Sequence, residues 1–223
     1  MVATVTPLAL AGCEERLSTV HPAGPAADAI AVLWWVMLIG AAAIFALVAV
    51  LLVMAFRRSE EHPGAEADAR HERIWIKAMG LGFTLTVLAA LTVWGIYIGE
   101  RLLPRPGPEV VSVGATGAQW TWRFTYADAP GRQTEGVLHI PAGRPVDVGI
   151  ESADVIHSFW VPRLAGKLDA VPGHTNVLRI QADAPGDYAG LSAEFSGPGY
   201  TGHRFTVRAH DEAGWDAFLR GEG

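Results

Sequence analysis

The stretch AIAVLWWVMLIGAAAIFALVAVLLVMAF, Ala29 to Phe56, carries no charged side chain, and neither does AMGLGFTLTVLAALTVWGIYIG, Ala78 to Gly99. Each meets or exceeds the roughly 20 apolar residues that a helix needs to cross a bilayer. Trp34, Trp35, Trp94 and Tyr97 stand near the ends of these runs, where amphipathic rings sit well at headgroup level. The pair therefore predicts an antiparallel transmembrane hairpin. Between the runs lie Arg57, Arg58, Arg70, Arg73 and Lys77, whereas the segment before the first run has only Arg16. Positive charge stays on the cytoplasmic side, so the connecting loop is expected in the cytoplasm and both chain ends outside it.

Working outward, the 223 residues are 50% hydrophobic although the stretches outside the two runs are normally charged, so the apolar excess is local. A net charge of -6 offers no electrostatic footprint for nucleic acid, and that class of partner is set aside. The single cysteine, Cys13, excludes a disulfide framework and any site of two thiolates within one chain. Leu10-Ala11-Gly12-Cys13 matches the small-residue pattern that precedes a lipidated cysteine, which makes Cys13 the lipidation candidate. Met1 to Gly12 has no Lys or Arg and is interrupted by Pro7, so an ordinary terminus is the competing reading.

After Gly99, Pro104, Pro106, Gly107 and Pro108 mark a stiff linker before a polar, glycine-rich region long enough for one small core. Runs rich in β-branched and aromatic residues recur there between turn signals. They are Val110–Val113, Gln119–Tyr126, Gly136–Ile140, Val146–Ser152, Ile156–Val161, Asn176–Ala182, Asp187–Phe195 and His203–Ala209. That spacing predicts an all-β sandwich or barrel. Asp211 is placed to cap a closing helix that offers Trp215, Phe218 and Leu219 to the sheet. Three regions result: an external amino-terminal signal or lipoprotein segment over 1–28, the helical hairpin with its cytoplasmic loop over 29–103, and an external β domain over 104–223.

Gln119-Trp120-Thr121-Trp122, Asp154-Val155-Ile156-His157-Ser158-Phe159-Trp160-Val161-Pro162 and Lys167 to Asn176 together resemble subunit II of haem-copper terminal oxidases, the cytochrome c oxidase subunit II superfamily. The resemblance implies a cupredoxin-like sandwich behind the membrane hairpin. In copper-containing members a dinuclear copper centre is held by one histidine, here matched by His157, and by a later cysteine, glutamate, cysteine, histidine and methionine. At those positions this chain has Ser192, Glu194, Ser196, Tyr200 and His203. Serine is no substitute, because copper that changes oxidation state needs soft, anionic sulfur. The run Ser196-Gly197-Pro198-Gly199-Tyr200-Thr201-Gly202 resembles instead the copper-less subunit II of quinol oxidases of the cytochrome bo type. Lys167 to Asn176 and Glu194 are closer to the cytochrome c branch.

The resemblance further implies a place in a proton-translocating complex that reduces dioxygen to water. Its haems and copper would sit in subunit I, with subunit III, membrane lipid and quinol as further partners. This chain would have no bound cofactor and no catalytic residue, and would lie as a multi-pass protein in the bacterial cytoplasmic membrane. Glu194 matches a glutamate that reaches a magnesium ion shared with subunit I, and a hard cation suits a carboxylate. Glu72 resembles the acidic residue at a proton-channel mouth, a solvated loop carboxylate being the plainer reading. Trp120 matches an aromatic patch at the electron entry point, with packing as its simpler role. His157 and His203 are a possible metal pair, against a hydrogen-bonded core role for His157. Two rivals remain open: a cytochrome c oxidase subunit II with an unusual electron entry route, and a free-standing membrane cupredoxin-like binding protein.

Overall fold

The computed structural model of the protein describes residues 15–57 and 69–222; Cys13 and Arg58 lie outside them. Helix α1 spans Pro25–Arg57. It starts before the uncharged run because Pro25 is preorganised for a first helical turn and Asp28 sits favourably at the positive end of the helix dipole. Helix α2 spans Ala69–Leu102. It takes in Arg70, Arg73 and Lys77, which the sequence had placed in a loop. Its Glu72–Phe83 stretch is wound as a π-helix. That wider winding brings residues five apart onto one face, and the Lys77 ammonium meets the Glu72 carboxylate at 3.1 Å. Leu103 is extended, as a residue before proline prefers, and ends the helix. Both helices are long and apolar enough to cross a membrane. Along them Ile39, Phe45, Phe56 and Val93 are exposed.

Two compact units are present, one made of the residues up to Val32 together with Pro104 onward, the other of Leu33–Leu103. In the first, ten strands form two five-stranded sheets. One sheet has β1 (Val111–Ala118), β2 (Thr121–Tyr126), β3 (Gln133–Glu135), β5 (Val146–Ser152) and β8 (Asn176–Ile180), in the order β3-β2-β1-β5-β8. The other has β4 (Val137–Pro141), β6 (His157–Trp160), β7 (Leu168–Ala170), β9 (Gly186–Ser192) and β10 (Arg204–His210), in the order β4-β10-β9-β6-β7. β1 runs parallel to β5 and β10 parallel to β4, while the other pairings are antiparallel. Alternate residues point inward, and Trp122, Phe124, Leu138, Ile150, Phe159 and Ile180 fill the space between the sheets. This is a sandwich, one of the two forms the strand spacing allowed, and the cupredoxin-like architecture the resemblance implied.

Three differences from the expected strands have physical causes. β1 continues to Ala118 through Gly114, Ala115 and Gly117, small residues that conceal a strand but suit its crowded surroundings. A Cβ on Gly117 would come within 3.2 Å of both His157 and Trp122. β3 and β7 are three-residue strands, too short to show periodicity. β9 stops at Ser192 rather than Phe195: the Ala193 amide makes one further bond to the Ser158 carbonyl at 3.2 Å, and the chain then loops.

The segment before α1 belongs to the same unit. Ala23 donates its N–H to the Arg163 carbonyl at 2.8 Å and accepts from the Asp183 amide at 2.9 Å. Gly24 then passes so near the Gln181 carbonyl that a Cβ would lie 2.0 Å from its oxygen, so only glycine fits. At the other end, Asp211 accepts from the Gly214 amide at 2.7 Å and caps helix α3, Glu212–Arg220. Trp215 and Phe218 of α3 are buried, with Leu219 packed against the core beside them.

Candidate functional site

The residues singled out at the copper-ligand positions lie at the start of β6, at the end of β9 and on the loop from Ala193 to His203, beside the segment that opens β2. His157 begins β6 and is completely buried. Its Nε2 meets Asp154 Oδ1 at 2.7 Å, and the same carboxylate accepts from the Gln119 amide at 2.8 Å and the Val155 amide at 2.6 Å. Burial works against the charge of Asp154, but the Gln119 amide, the His157 ring and the Val155 amide outweigh it and hold its carboxyl at about 2. Asp154 thus fixes the orientation of His157 and leaves Nδ1 buried without a hydrogen-bond partner among the described residues. The sequence signal for this anchor was a carboxylate three residues before the histidine.

His203 precedes β10 and is also completely buried. Its ring stacks on Trp122 with centroids 5.5 Å apart and meets His157 at 5.0 Å and 81°. Among the described residues, neither nitrogen finds a hydrogen bond of ordinary geometry. Burial lowers its pKa, opposed by the Thr121 backbone carbonyl, so the ring is held neutral. Ser192, at the end of β9, accepts from the Ser158 amide at 3.3 Å. Ser196 is buried beside Gln119, whose side-chain amide donates to the Ser196 carbonyl at 2.5 Å. Among the described residues, the hydroxyls of Ser158 and Ser196 have no partner.

The structure therefore brings His157, His203 and Trp122 into ring contact and buries both serines, while Glu194 and Tyr200 take other partners. Glu194 is half-exposed, accepts from the Phe195 amide at 3.1 Å and pairs with Lys167 at 3.6 Å. Tyr200 turns its ring to Phe195, 5.4 Å away. Trp120 is partly exposed and covered on one side by Gly199, whose φ of +108° only glycine adopts readily and whose Cβ would lie 3.4 Å from the indole. Glu72 is remote in sequence from this cluster and is engaged with Lys77.

A dinuclear copper centre does not fit this donor set, which presents two neutral hydroxyls where bridging thiolates are required. Among the described residues, no three His, Cys, Asp or Glu side chains gather as a metal site. What the arrangement does is pack: indole and imidazole rings close the space, with Asp154 holding one imidazole in place. Ser158, Trp122 and Gln119 belong to this cluster, although their roles were not evident from the motifs.

A family model described as cytochrome C oxidase subunit II, periplasmic domain, matches residues 129–208. The chain is similar to quinol oxidase subunit 2 of Bacillus cereus, with 31% identity covering 96% of this chain and 75% of that protein. It is also similar to cytochrome c oxidase subunit 2 of Alkalihalophilus pseudofirmus, with 32% identity over 96% of this chain and 65% of that one. Among solved structures, the periplasmic domain of cytochrome oxidase subunit II of Bradyrhizobium japonicum matches with a TM-score of 0.49 and 22% identity, over 53% of this chain and 95% of that one.

Proposed function

The chain belongs to the subunit II family of haem-copper terminal oxidases, and on that premise we propose that it serves a quinol-oxidising complex and has no copper centre of its own. The observation that carries this reading is the pair of buried hydroxyls, Ser192 and Ser196, at the positions of the bridging thiolates. The similarity to a protein named quinol oxidase subunit 2 supports it. Electrons from a membrane quinol would reach subunit I without passing through the external domain, whose work is then structural: it caps subunit I while dioxygen is reduced to water and protons are moved. Two apolar helices anchor the chain in a membrane, with the basic residues between the two apolar runs in the cytoplasm and the sandwich outside, next to subunits I and III. Cys13 as a lipid attachment point, Glu72 at a proton-channel entrance and Glu194 beside a shared magnesium ion belong to the same proposal.

Two observations favour a second reading, with cytochrome c as donor: the Alkalihalophilus relative is named a cytochrome c oxidase subunit, and Trp120 is partly exposed at the site. Oxygen uptake by the purified complex separates the two. Quinol alone should sustain turnover without added cytochrome. Turnover with reduced cytochrome c and none with quinol would overturn the quinol assignment and leave the family standing.

A further inference from the structure

At the edge where β4 and β10 run side by side under α3, a second histidine pair lies outside the motifs. His139 faces Arg208 in the strand register, so His210, two residues further on, lies diagonally across on the same face. His139 Nδ1 and His210 Nε2 are 2.8 Å apart. The ring centroids are 5.0 Å apart and the planes differ by 13°. Two imidazoles joined end to end by a straight N–H···N bond of that length have centroids roughly 5 Å apart, so these rings are nearly coplanar and share one proton along a straight line. Phe218 of α3 lies on this plate, 4.3 Å and 7° from His139 and 5.9 Å and 20° from His210. Arg132 covers Phe218 at 4.2 Å. Tyr126 supports the plate from β2, its hydroxyl accepting from the His139 amide at 3.0 Å.

We propose that His139 and His210 form a proton-sharing latch that holds α3 on the sheet at neutral pH and releases it on acidification. In the neutral pair one ring donates its bridging N–H and the other ring accepts. A first added proton goes to the outer nitrogen of the donor and leaves the bridge intact, as N–H⁺···N. A second must go to the accepting bridge nitrogen. Two N–H groups then face each other across 2.8 Å, the bridge opens, and the plate under Phe218 breaks.

The surroundings set where this happens. Arg132 on the β2–β3 turn and Arg208 on β10 oppose added charge, while Asp187 on β9 and Asp211 at the α3 cap favour it. Asp187 is itself held by Arg208 at 2.8 Å, which weakens its pull. Burial first, then the charges of His210, Arg208 and Arg132, lower His139 to about 4, and burial with Arg208 also lowers His210. Groups depressed in the folded state add stability above their ordinary value near 6.5 and lose it as pH falls toward 4. The latch therefore weakens across that window.

Hydrogen exchange of the full chain in detergent, at pH 7 and pH 4, tests it. After correction for intrinsic exchange rates, protection of Glu212–Arg220 should fall by about tenfold, with Val146–Ser152 unchanged. His139→Phe keeps a ring on Phe218 but removes the bridge and one titrating group, and should markedly reduce the fall. Equal loss in both segments, no loss, or an undiminished loss in the variant would each overturn the latch. Nitrogen-15 NMR of the unmutated histidines gives an answer without any substitution. One bridging proton that disappears in acid supports the latch, and two rings titrating independently near pH 6.5 refute it.

Discussion

Two histidine pairs sit in one sandwich with the same 5.0 Å between ring centroids, and they behave in opposite ways. His139 and His210 are nearly coplanar, half-buried and joined through a shared proton. His157 and His203 cross at 81°, are fully buried and share nothing, so three of their four nitrogens lack a partner. Distance alone therefore says little about an imidazole pair. Ring orientation decides whether two lone pairs meet through a proton or are left for packing to enclose. The enclosed pair is surrounded by rings and hydroxyls that supply bulk, with the Asp154 carboxylate held by the His157 ring and two backbone amides.

Restoring sulfur would change that end most. Ser192→Cys, Ser196→Cys, Tyr200→His and His203→Met together should take up a copper pair and turn the protein purple, with affinity reduced because the residue 200 side chain turns to Phe195. The same colour from the unmutated chain would break the comparison. Next in size is Trp122→Ala, which removes the ring stacked on His203 and should cost about 3–5 kcal/mol in denaturant unfolding. A loss below about 1 kcal/mol would mean that ring packing does not close the site.

Asp154→Asn tests the anchor of His157. The folded carboxyl titrates at about 2 against an ordinary 3.8, so its stabilisation is present above the ordinary value and is lost as pH falls through 2. With the side chain a third exposed, the variant should be about 1–2 kcal/mol less stable at pH 7. That gap should narrow by about half at pH 3; a gap independent of pH would remove the charge from the account. Lys167→Ala, at the half-exposed pair with Glu194, should shift stability by less than about 0.5 kcal/mol. A larger shift would show that Glu194 contributes more to the loop than its exposure implies.

The sequence by itself determined the architecture. Two uncharged runs needed only their length and composition to mark membrane helices, because a bilayer demands an apolar side chain at nearly every position. Alternation marked most strands, and Asp211 marked its helix, since a cap acts within one turn of itself. The absence of cysteine after Cys13 was equally legible, because a donor's chemistry belongs to its residue type. Tertiary structure alone decided which donors meet and how they point. Ser158 and Trp122 stood in the motifs without a role until the sheets enclosed them beside the histidines. His139 and His210 are 71 residues apart and became partners only when β4 paired with β10. A motif is local, whereas the protonation and hydrogen bonding of a buried ring depend on neighbours from distant strands and on the angle at which packing holds it.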